Sequence, residues 1–90
     1  MQRISLLIKG KVQGVFYRKS AAEKATEIGL TGFVKNLPDG NVYTEAQGTQ
    51  ERLNEFEQWC RRGPQHAVVE SVETTPLSTL FEEDRFSVRH

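Results

Sequence analysis

Thr31-Gly32-Phe33-Val34-Lys35-Asn36-Leu37-Pro38-Asp39-Gly40-Asn41-Val42-Tyr43-Thr44-Glu45-Ala46-Gln47 decides the fold. Its centre, Leu37 to Gly40, has turn chemistry: Pro38 fixes φ and Gly40 accepts a positive one. Residues 31–37 and 41–47 on either side are rich in strand-forming types and read as a hairpin. Upstream, residues 18–28 set Ala21, Ala25 and Ile28 at i, i+4 and i+7, the stripe of an amphipathic helix, and Gly29 ends it. Further back, Ile4, Leu6 and Ile8 share one face of a first strand over residues 4–9, and residues 10–17 form a loop. Downstream, Thr49 caps a second helix with Glu51 near its positive end. Leu53, Phe56 and Cys60 form that helix's apolar stripe, flanked by Trp59, and Arg61-Arg62-Gly63-Pro64 stops it. Residues 67–75 read as a strand whose irregular valines (68, 69 and 72) leave room for a bulge. Phe86 and Val88 alternate with polar residues in a short last strand.

The expected order is therefore strand, helix, strand, strand, helix, strand, with one short strand added. This is the α+β, ferredoxin-like α/β sandwich: an antiparallel sheet with two helices on one face. Residues 1–90 are expected to form one domain, since compact domains run to about 100–150 residues.

Composition narrows the function classes. The chain is 37% hydrophobic and 27% charged, and no apolar run approaches the roughly 20 residues that cross a bilayer. No signal-peptide pattern precedes the first strand, so the expected location is cytoplasmic. Twelve basic residues balance twelve acidic ones, which argues against a nucleic-acid partner needing a concentrated positive surface. One cysteine and two histidines supply neither a disulfide nor a cysteine- or histidine-based metal site.

Gly10-Lys11-Val12-Gln13-Gly14-Val15-Phe16-Tyr17-Arg18 joins a strand to a helix start. Such a junction offers unpaired N–H groups and the positive end of the helix dipole, a cradle for an anion. Gly14 lets a ligand approach the backbone with no Cβ in the way. Arg18 adds a fork of donors that fits phosphate oxygens. A cation in the first turn opposes the dipole by about 0.3–1 kcal/mol, a placement that makes sense when an anion sits between them. A plain turn with Arg18 as a surface cation is the competing reading.

Two roles are open for Asn36. Beside a turn, an asparagine commonly hydrogen-bonds the turn backbone. Its amide is also able to orient a water molecule for attack on phosphorus. In this topology the first and second strands are expected to lie near each other, which would let Asn36 face the loop.

Together the two segments resemble the acylphosphatase family. The first signature of that family stands here as Gly10 to Arg18. The second is complete as Gly32-Phe33-Val34-Lys35-Asn36, then Gly40-Asn41-Val42 and Gly48. The resemblance runs over nearly the whole chain, including the Trp59 helix and the Phe-x-Val-Arg ending. It implies hydrolysis of the carboxyl–phosphate anhydride of acyl phosphates with no metal or organic cofactor. A monomer is expected from the balanced surface, and no membrane or nucleic-acid partner from the composition. The resemblance further implies that the N–H groups of Gln13, Gly14, Val15, Phe16, Tyr17 and Arg18 hold the phosphate with the Arg18 side chain. Arg18 and Asn36 are then the catalytic residues, Asn36 placing the water, and the substrate's own phosphate takes the water's proton. Two positions depart from the family pattern. Tyr17 stands where phenylalanine is usual, and its hydroxyl needs a partner if buried. Leu37 stands where some members carry a hydroxyl residue.

The remaining polar and special residues carry simpler expectations. Cys60 and Trp59 read as packing, His66 and His90 as surface residues. Lys11, Lys19, Lys35 and the run Glu82-Glu83-Asp84 read as solvated. An anion-binding module without turnover is one competitor to the enzyme. An RNA-binding sheet with Phe33 and Tyr43 as stacking platforms is another, disfavoured by the neutral charge.

Overall fold

The computed structural model describes residues Met1–His90. Seven elements appear in the expected order: β1 (Gln2–Lys11), α1 (Tyr17–Glu27), β2 (Thr31–Asn36), β3 (Val42–Gly48), α2 (Gln50–Arg62), β4 (Val68–Leu77) and β5 (Phe86–Arg89). The strands form one sheet in the order β4-β1-β3-β2-β5. The alternation in β1 fixes its register: Leu6 lies beside Thr44 and Ile8 beside Val42 on the antiparallel β3, and Leu6 and Ile8 are fully buried. A slip of one residue would turn this whole set to the other face.

The helices cover that face. α1 buries Tyr17, Ala21 and Ala25, and its alanines let it lie close to the sheet. α2 buries Leu53, Phe56 and Cys60, with Phe56 edge-on to Phe86 at 5.7 Å between centroids. Thr49 caps α2 as expected, accepting from the Arg52 N–H at 3.3 Å. Cys60 is a core residue, and burial pushes its thiol up to about 12, so it is no nucleophile at neutral pH. Thr44 is buried among apolar neighbours and satisfies its hydroxyl on the Phe33 carbonyl at 2.7 Å. The irregular valines of β4 do mark a bulge: the register steps from Lys9–Ser71 to Gly10–Val69, skipping Glu70.

The sheet is mixed, which corrects the expectation of an antiparallel one. β5 runs parallel to β2, with Gly32 beside Phe86 and Lys35 beside Arg89. The reason lies in the connection. β4 ends beside Arg3, at the start of β1, so the next strand departs from that end of the sheet. Residues 78–85 cross to the far edge, where β2 starts at the same end and runs the same way.

This crossing is fastened to the helix-free face. Gln47 accepts from the Leu80 N–H at 2.8 Å and donates to the Leu80 carbonyl at 2.9 Å. Arg3, only 3% exposed, donates to both Glu83 oxygens at 2.7 and 3.1 Å and pairs with Glu45 at 2.9 Å. Glu83 is thus a partner of a buried arginine, and the reading of residues 82–84 as merely solvated fails there. On the same face, Phe33 lies under the Arg89 guanidinium at 3.6 Å and is 6% exposed, so it presents no open platform for a base.

Candidate active site

β1 hands over to α1 through a loop bent twice into left-handed backbone, at Gly14 (φ 74) and Phe16 (φ 62). A Cβ on Gly14 would meet nothing within 4 Å, so glycine is required there by its φ, and open space lies where a side chain would stand. Phe16, the residue preceding α1, makes no side-chain cap, and the first turn of α1 has no acidic residue. From this segment the one backbone bond outside regular structure runs from the Ser20 N–H to the Phe16 carbonyl, at 3.0 Å. The N–H groups of Gln13 to Lys19 donate to no backbone carbonyl. With the positive end of the α1 dipole, they form an uncompensated donor array.

Arg18 stands at this array. Its Nη1 donates to the Arg89 carbonyl at 2.8 Å and lies 3.4 Å from Nδ1 of His90. It has no carboxylate partner, since the ion pairs involve Arg3, Lys9, Lys24 and Arg61. Its charge is oriented by a neutral carbonyl and left free for an anion.

Asn36 ends β2, opposite Val42. Its Oδ1 is buried and has no hydrogen-bond partner. The turn takes its bonds elsewhere. Asp39 accepts from the Asn41 N–H at 3.0 Å, and Leu37 and Asn41 are joined through the backbone at 2.9 Å. The alternative in which Asn36 serves the turn is therefore unsupported. The expected nearness of the first two strands also needs correction, because β3 lies between β1 and β2. The Gln13 side chain spans the gap instead: its Nε2 donates to the carbonyls of Leu37 at 2.7 Å and Asn41 at 2.8 Å. Loop and hairpin tip are thereby tied, and Arg18 and Asn36 share one cleft of about 290 Å³.

Gly14, Phe16 and Tyr17 also line this cleft. Tyr17 has its side chain in the core, where its hydroxyl finds the required partner in the Cys60 carbonyl at 2.7 Å and its ring lies 5.4 Å from that of Trp59. Burial, then the neighbouring Cys60, raises the Tyr17 phenol well above its usual range, so it stays protonated. Val15 packs against the core. Sequence reasoning missed three contributors: the Gln13 side chain, the Arg89 carbonyl and His90, which lines the cleft beside Val88. The alternation at Phe86 and Val88 gives a strand but not the edge it joins, and that edge brings His90 to Arg18.

The cleft holds a donor array, a free guanidinium and a buried carboxamide oxygen, a set suited to a phosphoryl group and a water. Residues 4–88 match the family model described as Acylphosphatase. The chain belongs to the acylphosphatase family. Acylphosphatases hydrolyse the mixed anhydride of a carboxylic and a phosphoric acid. An acylphosphatase of Methylococcus capsulatus is 47% identical over 88 residues, which are 98% of this chain and 96% of that one. The crystal structure of the acylphosphatase from Bacillus subtilis superposes with a TM-score of 0.95 at 30% identity, covering 100% of both chains. The acylphosphatase structure from Coxiella burnetii gives 0.91 at 38% identity, over 98% of this chain and 92% of that one. Acylphosphatase relatives thus match from β1 to β5, across every element that lines the cleft.

Proposed function

We propose that this chain hydrolyses acyl phosphates in the Arg18–Asn36 cleft, with Arg18 binding the phosphate and Asn36 placing the water. The phosphoryl oxygens accept from the N–H groups of Gln13 to Arg18 and from the Arg18 guanidinium, which also stabilise charge as the transition state forms. Water donates to the Asn36 Oδ1 and directs a lone pair at phosphorus. As the new P–O bond forms, the bond to the acyl oxygen breaks and its electron pair leaves on the carboxylate. The proton of the water passes to a phosphate oxygen. A carboxylate leaves well as an anion, its acid having a pKa of about 4, so the step asks for no general acid. We read the reaction as independent of metal and organic cofactor, since the substrate and one water account for every bond and proton in it.

The observation that carries this reading is the buried, unpartnered Asn36 Oδ1 in the same cleft as Arg18. Leaving such an atom without a bond costs about 1–3 kcal/mol, a cost that a bound water would relieve. We further read the protein as a cytoplasmic monomer without nucleic-acid or membrane partners. Balanced charge supports this, and no helix is long and apolar enough to cross a membrane.

Release of phosphate from benzoyl and acetyl phosphate by the wild type, Arg18→Ala and Asn36→Ala tests the assignment. Both variants are expected to fold. Asn36→Ala should lose about 10²–10³-fold in kcat, and Arg18→Ala should lose phosphate binding as well as turnover. Full activity in Asn36→Ala would remove the water-positioning role. Thermal stabilisation by inorganic phosphate with no turnover of either substrate would favour a binding module.

A further inference from the structure

Phe16 is a residue that neither the backbone nor the core asks for. Its φ of 62 and ψ of 24 lie in the left-handed region, which glycine or asparagine holds with less strain than a bulky side chain. Its ring is 75% exposed and so gains little from burial. The chain uses glycine for the same kind of bend two residues earlier, at Gly14. What the ring does have is position: it lines the cleft that holds Arg18 and Asn36. An exposed aromatic face beside a phosphate cradle is suited to contact whatever is attached to the phosphate. Val88, part-exposed, adds apolar surface to the same cleft.

We propose that Phe16 forms a wall of the acyl subsite and favours aromatic over small aliphatic acyl phosphates. This rests on the hydrolase reading of the cleft and adds the substrate class to it. The phosphoryl group is common to all such substrates, so the cradle cannot tell them apart. Discrimination has to come from a surface that meets the acyl group, and a ring contact contributes about 0.5–1.5 kcal/mol beyond area burial.

The test is the ratio of kcat/KM for benzoyl phosphate to that for acetyl phosphate in the wild type, Phe16→Ala and Phe16→Trp. Inhibition by inorganic phosphate is measured in each. Phe16→Ala is expected to lower the ratio about 2- to 12-fold, and Phe16→Trp to keep it near the wild-type value. Effects on the shared cradle change both substrates alike and cancel in the ratio. If Phe16→Ala does not fold, Phe16→Leu serves the same comparison, since it removes the π face and keeps an apolar side chain. An unchanged ratio in an active variant overturns the role of Phe16 and leaves the hydrolase reading standing. A wild type that hydrolyses neither substrate overturns both.

Discussion

At one end of the sheet Arg3 gives its guanidinium to Glu45 and Glu83 and is almost wholly buried. At the other end Arg18 meets a main-chain carbonyl and a histidine nitrogen, and no carboxylate. The surroundings differ in the same sense. Around Arg3, Gln47 bonds Leu80 in both directions. Around Arg18, the N–H groups of Gln13 to Lys19 find no backbone acceptor, and Asn36 Oδ1 has no partner. The fold completes its polar interactions where it needs a fastening. It leaves them open in the cleft where we propose that a phosphoryl group and a water bind. The type of residue does not separate the two arginines; the presence of a counter-charge does.

The largest effects should come from removing each arginine and reading two observables. Arg18→Ala is expected to lower kcat/KM by about 10²–10³-fold while its unfolding midpoint stays within the small range of surface changes, about 0.5 kcal/mol. Arg3→Met should do the reverse. It leaves Glu45 and Glu83 half-buried without their cation, at a cost of about 3 kcal/mol, the low end for a broken buried pair, or roughly 12–24 °C in Tm for a chain of this size. Activity per folded molecule should be retained. If Arg3→Met abolished turnover in the folded state, or Arg18→Ala unfolded the chain, the division between the two ends would not hold.

Gln13 sharpens the comparison, because it is one of the few satisfied side chains at the open end. Without its two bonds to the Leu37 and Asn41 carbonyls, the hairpin tip bearing Asn36 loses its tie to the cradle. Gln13→Ala is expected to lower kcat about 10- to 100-fold, with a smaller change in the inhibition constant of inorganic phosphate. Equal losses in both, or a loss of stability alone, would show that Asn36 is aligned by its pairing with β3 and not by Gln13.

How far the sequence reveals this arrangement depends on whether the cause is local. The hairpin, both helices and the alternation of β1 follow from neighbours a few residues apart, and the structure has them within a residue or two. The Gly14 bend and the Arg18 helix start are local as well. The Gln13 tie spans 24 residues to Leu37 and 28 to Asn41, and no periodicity announces it. The parallel pairing of β5 depends on which edge is reached by residues 78–85, and so do the contacts of Arg89 and His90 with Arg18. Glu83 looked solvated because its partner, Arg3, lies 80 positions away. The unpartnered state of Asn36 was also illegible: an asparagine before a turn has the same sequence whether it bonds the turn or faces a cleft.

The smallest expected effect is electrostatic and belongs to the closed end. Burial alone would raise the Glu83 carboxyl. Its hydrogen bonds with Arg3 and Thr31 and the charges of Arg3 and Arg89 outweigh that and hold it below the usual glutamate value of 4.5. A carboxyl lowered on folding stabilises the fold above its unfolded value, and that contribution is lost as pH falls through the folded value. Wild-type stability should therefore decline as pH falls from the ordinary glutamate value of 4.5 through the lower folded value. Glu83→Gln should be less stable at neutral pH but should lose less on acidification, because it has no proton to take up at that position. Urea unfolding at a series of pH values reads the difference. Parallel curves for the two proteins would mean that the Arg3–Glu83 pair carries no folding free energy and that Glu45 alone holds Arg3 in place.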